Sequence, residues 1–199
     1  MRVKICGVTT VEDARVCADA GADAIGLNFW SGSKRCIGIE RAVEIARALP
    51  AGVAKIGVFV DAGRDEIERT AEAVGLDAIQ LHGDEPPEAC AGFTLPVIKA
   101  LRVSEALGSI HEVVARYDVA WMLLDSAVGG SGVAFDWRRA FAVAPGRLYL
   151  AGGLRPDNVA EAVRLVRPYA VDTASGVEAS PGRKDPRRVR EFIENAKHA

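Results

Sequence analysis

A thiol followed at once by glycine, Cys6-Gly7, ends a short apolar run that begins almost at the first residue, Val3-Lys4-Ile5. A strand so near the N-terminus needs later strands to pair with it, and Gly7 lets the chain turn away sharply, which leaves the sulfur at a strand end where loops gather. Asp125 ends another apolar run, Val119 to Leu124. A thiolate base and a carboxylic acid on opposite sides of a bound sugar would suit removal of a proton from one carbon and protonation of a ring or carbonyl oxygen. Each also has a plainer reading. Cys6 could be a small buried hydrophobe, as most free cysteines are, and Asp125 a cap or turn residue in Asp125-Ser126.

Three glycine clusters stand in the last third of the chain: Gly129-Gly130-Ser131-Gly132, Gly152-Gly153 and Ser175-Gly176. One glycine turn is ordinary loop punctuation, but three after successive strands point to backbone N–H groups converging on a phosphate. Arg35 could pair with a substrate carboxylate, or could be solvated like the neighbouring Lys34. His82, in Gln80-Leu81-His82-Gly83, could contact substrate or only satisfy backbone groups, and Asp172 could meet substrate hydroxyls or position the loop beyond it. Cys17 and Cys90 fall in helices and read as core, whereas Cys36 beside Arg35 is ambiguous.

The elements that must position these groups repeat. After Gly7, Thr9-Thr10-Val11-Glu12 has the Thr-x-x-Glu spacing of a capping box ahead of a helix running to Gly21. Strands follow at Asp23 to Phe29, Ala54 to Val60, Ala78 to Leu81, Val97 to Leu101, Val119 to Leu124, Leu148 to Leu150 and Tyr169 to Val171. Between them the spacing predicts helices from Ile39, near Asp65 to Val74, around Pro87 to Ala91, from Ser104 through Val114, from Asp136 bearing Trp137, Ala140 and Phe141, and from Pro156. A last helix begins at Asp185-Pro186. Eight strand-helix units with near-continuous apolar strands imply an α/β fold, a single (β/α)8 TIM barrel over residues 1–199. A doubly wound open sheet is the alternative. The chain is shorter than the typical barrel of about 250 residues, so the loops must be short. In such a barrel the residues after each strand form the active face, which gathers Cys6, Arg35, His82, Arg102, Asp125 and Asp172.

Lys+Arg at 25 against Asp+Glu at 27 gives a net charge of −2, so no basic excess argues for nucleic acid, and phosphate recognition must be local. The four cysteines show neither Cys-x-x-Cys spacing nor a His-rich cluster, which suggests no metal site, no disulfide framework and a reduced, cytoplasmic setting. No apolar run approaches the roughly 18 to 20 residues that span a bilayer, so a soluble, unprocessed chain without a membrane partner is expected.

Lys4-Ile5-Cys6-Gly7, Gln80-Leu81-His82-Gly83, Leu124-Asp125-Ser126, Gly129 to Gly132 with Phe135-Asp136-Trp137, Ala151-Gly152-Gly153-Leu154, and Asp172 with Ser175-Gly176-Val177-Glu178 occur in an order that resembles the phosphoribosylanthranilate isomerases of tryptophan biosynthesis. The resemblance spans nearly the whole chain. It implies a (β/α)8 barrel, monomeric or homodimeric, that isomerises N-(5-phosphoribosyl)anthranilate to 1-(2-carboxyphenylamino)-1-deoxyribulose 5-phosphate without a cofactor. By position, Asp125 would be the general acid and Cys6 the general base. Arg35 would hold the anthranilate carboxylate, with Gln80, His82 and Asp172 also at the substrate. Gly130, Gly132, Gly152, Gly153, Ser175 and Gly176 would hold the phosphate. Lys34 and Cys36 stand where the family commonly has proline and an aromatic residue, which implies less stacking on the anthranilate ring.

A free thiol has a pKa of about 8.5, so Cys6 needs nearby positive charge to act as a base near neutrality. Lys4, two residues back along the strand, shares its face and is expected to help stabilise the thiolate. Other phosphosugar barrels fit less well, since an indole-glycerol-phosphate synthase would carry a catalytic lysine and glutamate at strand ends, and an aminoimidazole-carboxamide ribotide isomerase an aspartate in place of Cys6. A non-catalytic phosphate-binding barrel is the alternative from another class.

Overall fold

The computed structural model describes residues 1–104, 107–126 and 135–199. Eight parallel strands close into a barrel in sequence order: β1 (Arg2–Cys6), β2 (Ala24–Asn28), β3 (Ala54–Phe59), β4 (Ala78–Leu81), β5 (Val97–Val103), β6 (Trp121–Ser126), β7 (Leu148–Leu150) and β8 (Ala170–Thr173). Closure is by β8 pairing back onto β1, with Lys4 opposite Asp172, so the open-sheet alternative is excluded. Helices α1 (Val11–Asp19), α2 (Ile39–Ala48), α3 (Arg64–Val74), α4 (Pro87–Cys90), α5 (Ile110–Val114), α6 (Val159–Val166) and α7 (Pro186–Lys197) connect or follow the strands, and a small hairpin, β9 (Glu178–Ser180) and β10 (Arg183–Lys184), follows β8.

Strand side chains alternate between two apolar cores, as a period of two requires. Val3, Ile5, Ile25, Leu27, Met122, Leu124, Leu150 and Val171 face the helices. Ala24, Ile56, Ile98, Ala100, Leu123, Tyr149 and Ala170 fill the barrel interior. Continuing the inward set to the strand ends brings Cys6, Asn28, Val58, His82, Arg102, Asp125 and Asp172 to one mouth of the barrel. At the opposite end, Trp121 stacks on Tyr169 with ring centroids 5.4 Å apart, and the Arg2 guanidinium lies over Tyr169.

Several helix starts differ from the spacing-based expectation. Thr10, not Thr9, caps α1, its Oγ1 accepting from Asp13 N at 3.1 Å, because Thr9 Oγ1 instead donates to the Gly182 carbonyl. The helix expected from Ser104 shrinks to Ile110–Val114, capped by Ser109 just after Gly108. Asp136 does cap, but it opens a 3-10 helix, Trp137–Ala142, on which Phe141 points to solvent. The helix expected from Pro156 begins at Val159, since Asn158 Oδ1 accepts from Arg155 N and closes a turn first. No helix among the described residues is long and apolar enough to cross a membrane.

Candidate active site

A cavity of about 350 Å³ opens over the C-terminal ends of the strands, within the size range of small-molecule sites. Cys6, Arg35, His82, Asp125, Gly152, Gly153, Asp172 and Ser175 all line it, so residues from both ends of the sequence meet there. Gln80 and Gly176 do not. Gln80 has no exposed surface, and its Nε2 lies 2.8 Å from His82 Nδ1, so it supports the site through His82. Gly176 sits behind the wall, its bare Cα pressed against the Leu154 carbonyl, which also accepts from Thr173 Oγ1 at 2.8 Å. Gly130 and Gly132 lie outside the described residues.

Cys6 and Asp125 end strands β1 and β6 and look into the same space. Beneath the thiol, Lys4 Nζ is 2.8 Å from Asp172 Oδ1, a fully buried ammonium in a barrel interior filled mainly by apolar side chains. Burial pulls Lys4 toward neutrality, but the charges of Asp172 and Cys6 outweigh it and hold its pKa above the usual lysine value. For Cys6 the balance falls the other way. Loss of hydration pushes the thiol up, Lys4 and Lys184 pull it down, and the net shift is upward. The expected help from Lys4 is therefore real in sign but does not by itself make a resting thiolate.

Gly26, opposite Cys6 on β2, makes room for this pair: a Cβ there would stand 2.7 Å from Cys6 Sγ and 3.1 Å from Lys4 Nζ. Gly7 serves a similar end. Its φ is +69°, and a side chain there would collide with the aliphatic stem of Arg35.

Asp125 Oδ1 accepts from the Ser126 N–H at 2.8 Å, and Oδ2 lies 3.3 Å from His82 Nε2. With the Gln80 amide N–H donating to Nδ1, the proton of a neutral His82 ring sits on Nε2, facing Asp125. The loop bearing His82 is braced from below. Lys99 Nζ donates to Glu85 Oε2 at 2.6 Å and to the Gly83 carbonyl at 2.7 Å, while Glu85 Oε1 accepts from the N–H groups of Asp61 and Gly83.

A second brace holds the other side. Glu178 takes Arg35 in a bidentate pair, Nε to Oε1 and Nη2 to Oε2, both 2.7 Å. Lys184 Nζ donates to Glu178 Oε1 at 2.9 Å, to the Cys6 carbonyl at 2.7 Å and to the Ala174 carbonyl at 3.1 Å, tying β1, β8 and the Arg35 loop together. Burial alone would raise the Glu178 carboxyl, but Arg35 and Lys184 hold it below its usual value. The second brace does not follow from sequence spacing, because the partners of Arg35 and Cys6 lie 143 and 178 residues away. The one available signal for Gly26 is a glycine inside an apolar strand, which marks a close approach.

Gly152 and Gly153 both have positive φ, and a Cβ on Gly152 would strike the Ser126 N–H, so only glycine lets the β7 loop lie against β6. Asn158 Nδ2 donates to the Gly153 carbonyl at 3.0 Å, and the short 3-10 turn Ser175–Val177 follows β8. Loops after the seventh and eighth strands with a short extra helix form the recurrent phosphate site of such barrels. Among the described residues no cluster of three or more His, Cys, Asp or Glu side chains could hold a metal ion.

A closed eight-stranded parallel barrel with a polar cavity over its strand ends places the chain in the class of (β/α)8-barrel enzymes. The family model for N-(5'phosphoribosyl)anthranilate (PRA) isomerase matches residues 3–195. An N-(5'-phosphoribosyl)anthranilate isomerase of Myxococcus xanthus is 51% identical over 204 residues, covering 99% of this chain and 96% of the relative. The crystal structure of phosphoribosyl anthranilate isomerase from Thermus thermophilus superposes with a TM-score of 0.91 at 41% identity, covering 100% of this chain and 99% of that one. A phosphoribosyl anthranilate isomerase in complex with reduced 1-(o-carboxyphenylamino)-1-deoxyribulose 5-phosphate superposes with a TM-score of 0.87 at 41% identity over the full length of both chains. The chain belongs to the N-(5'-phosphoribosyl)anthranilate isomerase family.

Proposed function

We propose that this chain, acting as one catalytic domain in the cytoplasm, isomerises N-(5'-phosphoribosyl)anthranilate to 1-(2-carboxyphenylamino)-1-deoxyribulose 5-phosphate by acid–base catalysis. The observation that carries this reading is the meeting of Cys6 and Asp125 at one cavity, with Arg35 on one flank and the positive-φ glycines Gly152 and Gly153 on another. The phosphate binds to backbone N–H groups around Gly152, Gly153 and Ser175, with Gly176 behind them closing the turn. Arg35 takes the anthranilate carboxylate.

Asp125 protonates the furanose ring oxygen, the C1–O bond breaks, and the nitrogen lone pair forms a protonated Schiff base. The Cys6 thiolate then removes the proton from C2, and the electrons of that bond form the enolamine as the iminium is neutralised. The enolamine relaxes to the ketone as C1 takes up a proton and the hydroxyl on C2 loses its own, its O–H electrons forming the carbonyl. The iminium charge adds to that of Lys4 in favouring thiolate over thiol, which offsets the upward shift that burial imposes on Cys6. His82 keeps an N–H toward Asp125, and Asp172 holds Lys4 under the thiol while presenting an edge to the sugar hydroxyls.

Turnover of N-(5'-phosphoribosyl)anthranilate, followed as loss of the anthranilate fluorescence, tests the reading. Cys6→Ser and Asp125→Asn should each lower kcat by about 10²- to 10⁴-fold with unchanged Tm. Absence of turnover in the unmodified chain, or near-normal turnover in both variants, would refute it.

A further inference from the structure

Of the large apolar side chains left exposed among the described residues, Trp30 alone lines the cavity. Its loop is built to keep it there. The Trp30 N–H donates to Asn28 Oδ1 at 2.9 Å, its carbonyl accepts from Ser33 N at 3.0 Å, and the indole lies flat against Gly32, where a Cβ would stand 2.5 Å from Cζ2. Holding an indole 43% exposed against a glycine leaves apolar surface in water, which a bound flat ring would cover.

Five residues on in the same loop, Arg35 offers Nε and one side of Nη2 to Glu178 and keeps the Nη1 edge for another anion. Cys36 after it supplies no aromatic surface. The cavity thus has one large aromatic face at its rim, beside a guanidinium with a free edge. An aromatic ring bearing a carboxylate, its acid group on that edge, fits this pairing.

We propose that Trp30 is a substrate-binding residue, its indole the stacking platform for the carboxyphenyl ring while Arg35 takes the carboxylate. This rests on the isomerase reading and adds a determinant for the aryl part of the substrate. The ring stacks without taking part in proton transfer, so the platform acts on binding and leaves the chemical step alone.

Trp30→Ala and Trp30→Phe, measured with the intact chain, separate the possibilities. Trp30→Ala should raise KM, and the Kd of reduced 1-(o-carboxyphenylamino)-1-deoxyribulose 5-phosphate, about tenfold (about 1.4 kcal/mol), with kcat changed less than about twofold. Trp30→Phe should restore most of the loss, and the Kd of ribulose 5-phosphate, which has no ring, should be the same in all three proteins. Unchanged KM in Trp30→Ala, or equal weakening of ribulose 5-phosphate, would overturn the proposal. A failure of the isomerase reading looks different: the unmodified chain itself would neither turn over the substrate nor bind the analogue.

Discussion

Adding one methyl group at Gly26 should disable the enzyme by displacing the reacting thiol while leaving every reacting group chemically intact. The Cβ of Gly26→Ala would lie 2.7 Å from Cys6 Sγ, 3.0 Å from Cys6 Cα and 3.1 Å from Lys4 Nζ. Comfortable separations begin near 3.5 Å, so the thiol must retreat by about 1 Å. A misplacement of that size costs about 10²-fold in rate where proton transfer depends on geometry. Overpacking a filled interior also costs about 1–3 kcal/mol, which for a chain of this length lowers Tm by roughly 2–12 °C. The assay is kcat and KM beside a thermal melt, with Gly146→Ala as control, since a Cβ there meets nothing within 4 Å. KM should change little, because the methyl approaches neither Arg35 nor the β7 and β8 loops. A double-mutant cycle with Cys6→Ser sharpens the test: once the thiol is gone, the same methyl should cost far less in kcat. Full activity in Gly26→Ala, or an equal loss in both backgrounds, would refute the reasoning.

Two further outcomes follow from the charges around the site. In a Cys36→Ser background, which removes the exposed thiol, alkylation of Cys6 in the free enzyme should show its midpoint above the ordinary thiol value of about 8.5. Asp172→Asn should lower that midpoint and Lys4→Met should raise it; equal midpoints in all three would contradict the electrostatic account. Glu178→Gln should cost about 3 kcal/mol at neutral pH, roughly 6–12 °C in Tm, by breaking a buried network that holds Arg35 and Lys184. The folded Glu178 carboxyl lies below its unfolded value of about 4.3, so its stabilisation is full above that pH and is lost as pH falls through the folded value. The gap in Tm between the two proteins should therefore close in acid, and a gap independent of pH would count against the pairing.

The barrel was legible because its cause is local and repeated. Each apolar strand and each helical stripe announces itself within about ten residues, and the period of two along strands puts Lys4 and Cys6 on one face before any fold is known. Closure then brings strand ends together, so Cys6, Asp125, His82 and Asp172 could be grouped in advance. What stayed hidden depends on contacts between distant segments. Thr9 has the capping-box spacing, yet its hydroxyl goes to Gly182 and Thr10 does the capping. Glu178 and Lys184 read as loop charges until the barrel closes and delivers them to Arg35 and to the Cys6 carbonyl. Lys99 reads as a strand residue until Glu85 meets it from the loop after β4. Gly7 reads as a sharp turn after the first strand, and only the closed barrel shows that its missing side chain also gives Arg35 its place.

The central claim is that one bound phosphosugar lies between the thiol of Cys6 and the carboxyl of Asp125. A crystal structure of this chain with reduced 1-(o-carboxyphenylamino)-1-deoxyribulose 5-phosphate tests it most directly. The phosphate should lie over Gly153 and Ser175, with C2 within about 3.5 Å of Cys6 Sγ and the sugar oxygen on the Asp125 side. A phosphate seated elsewhere, or a C2 turned away from the sulfur, would contradict the account.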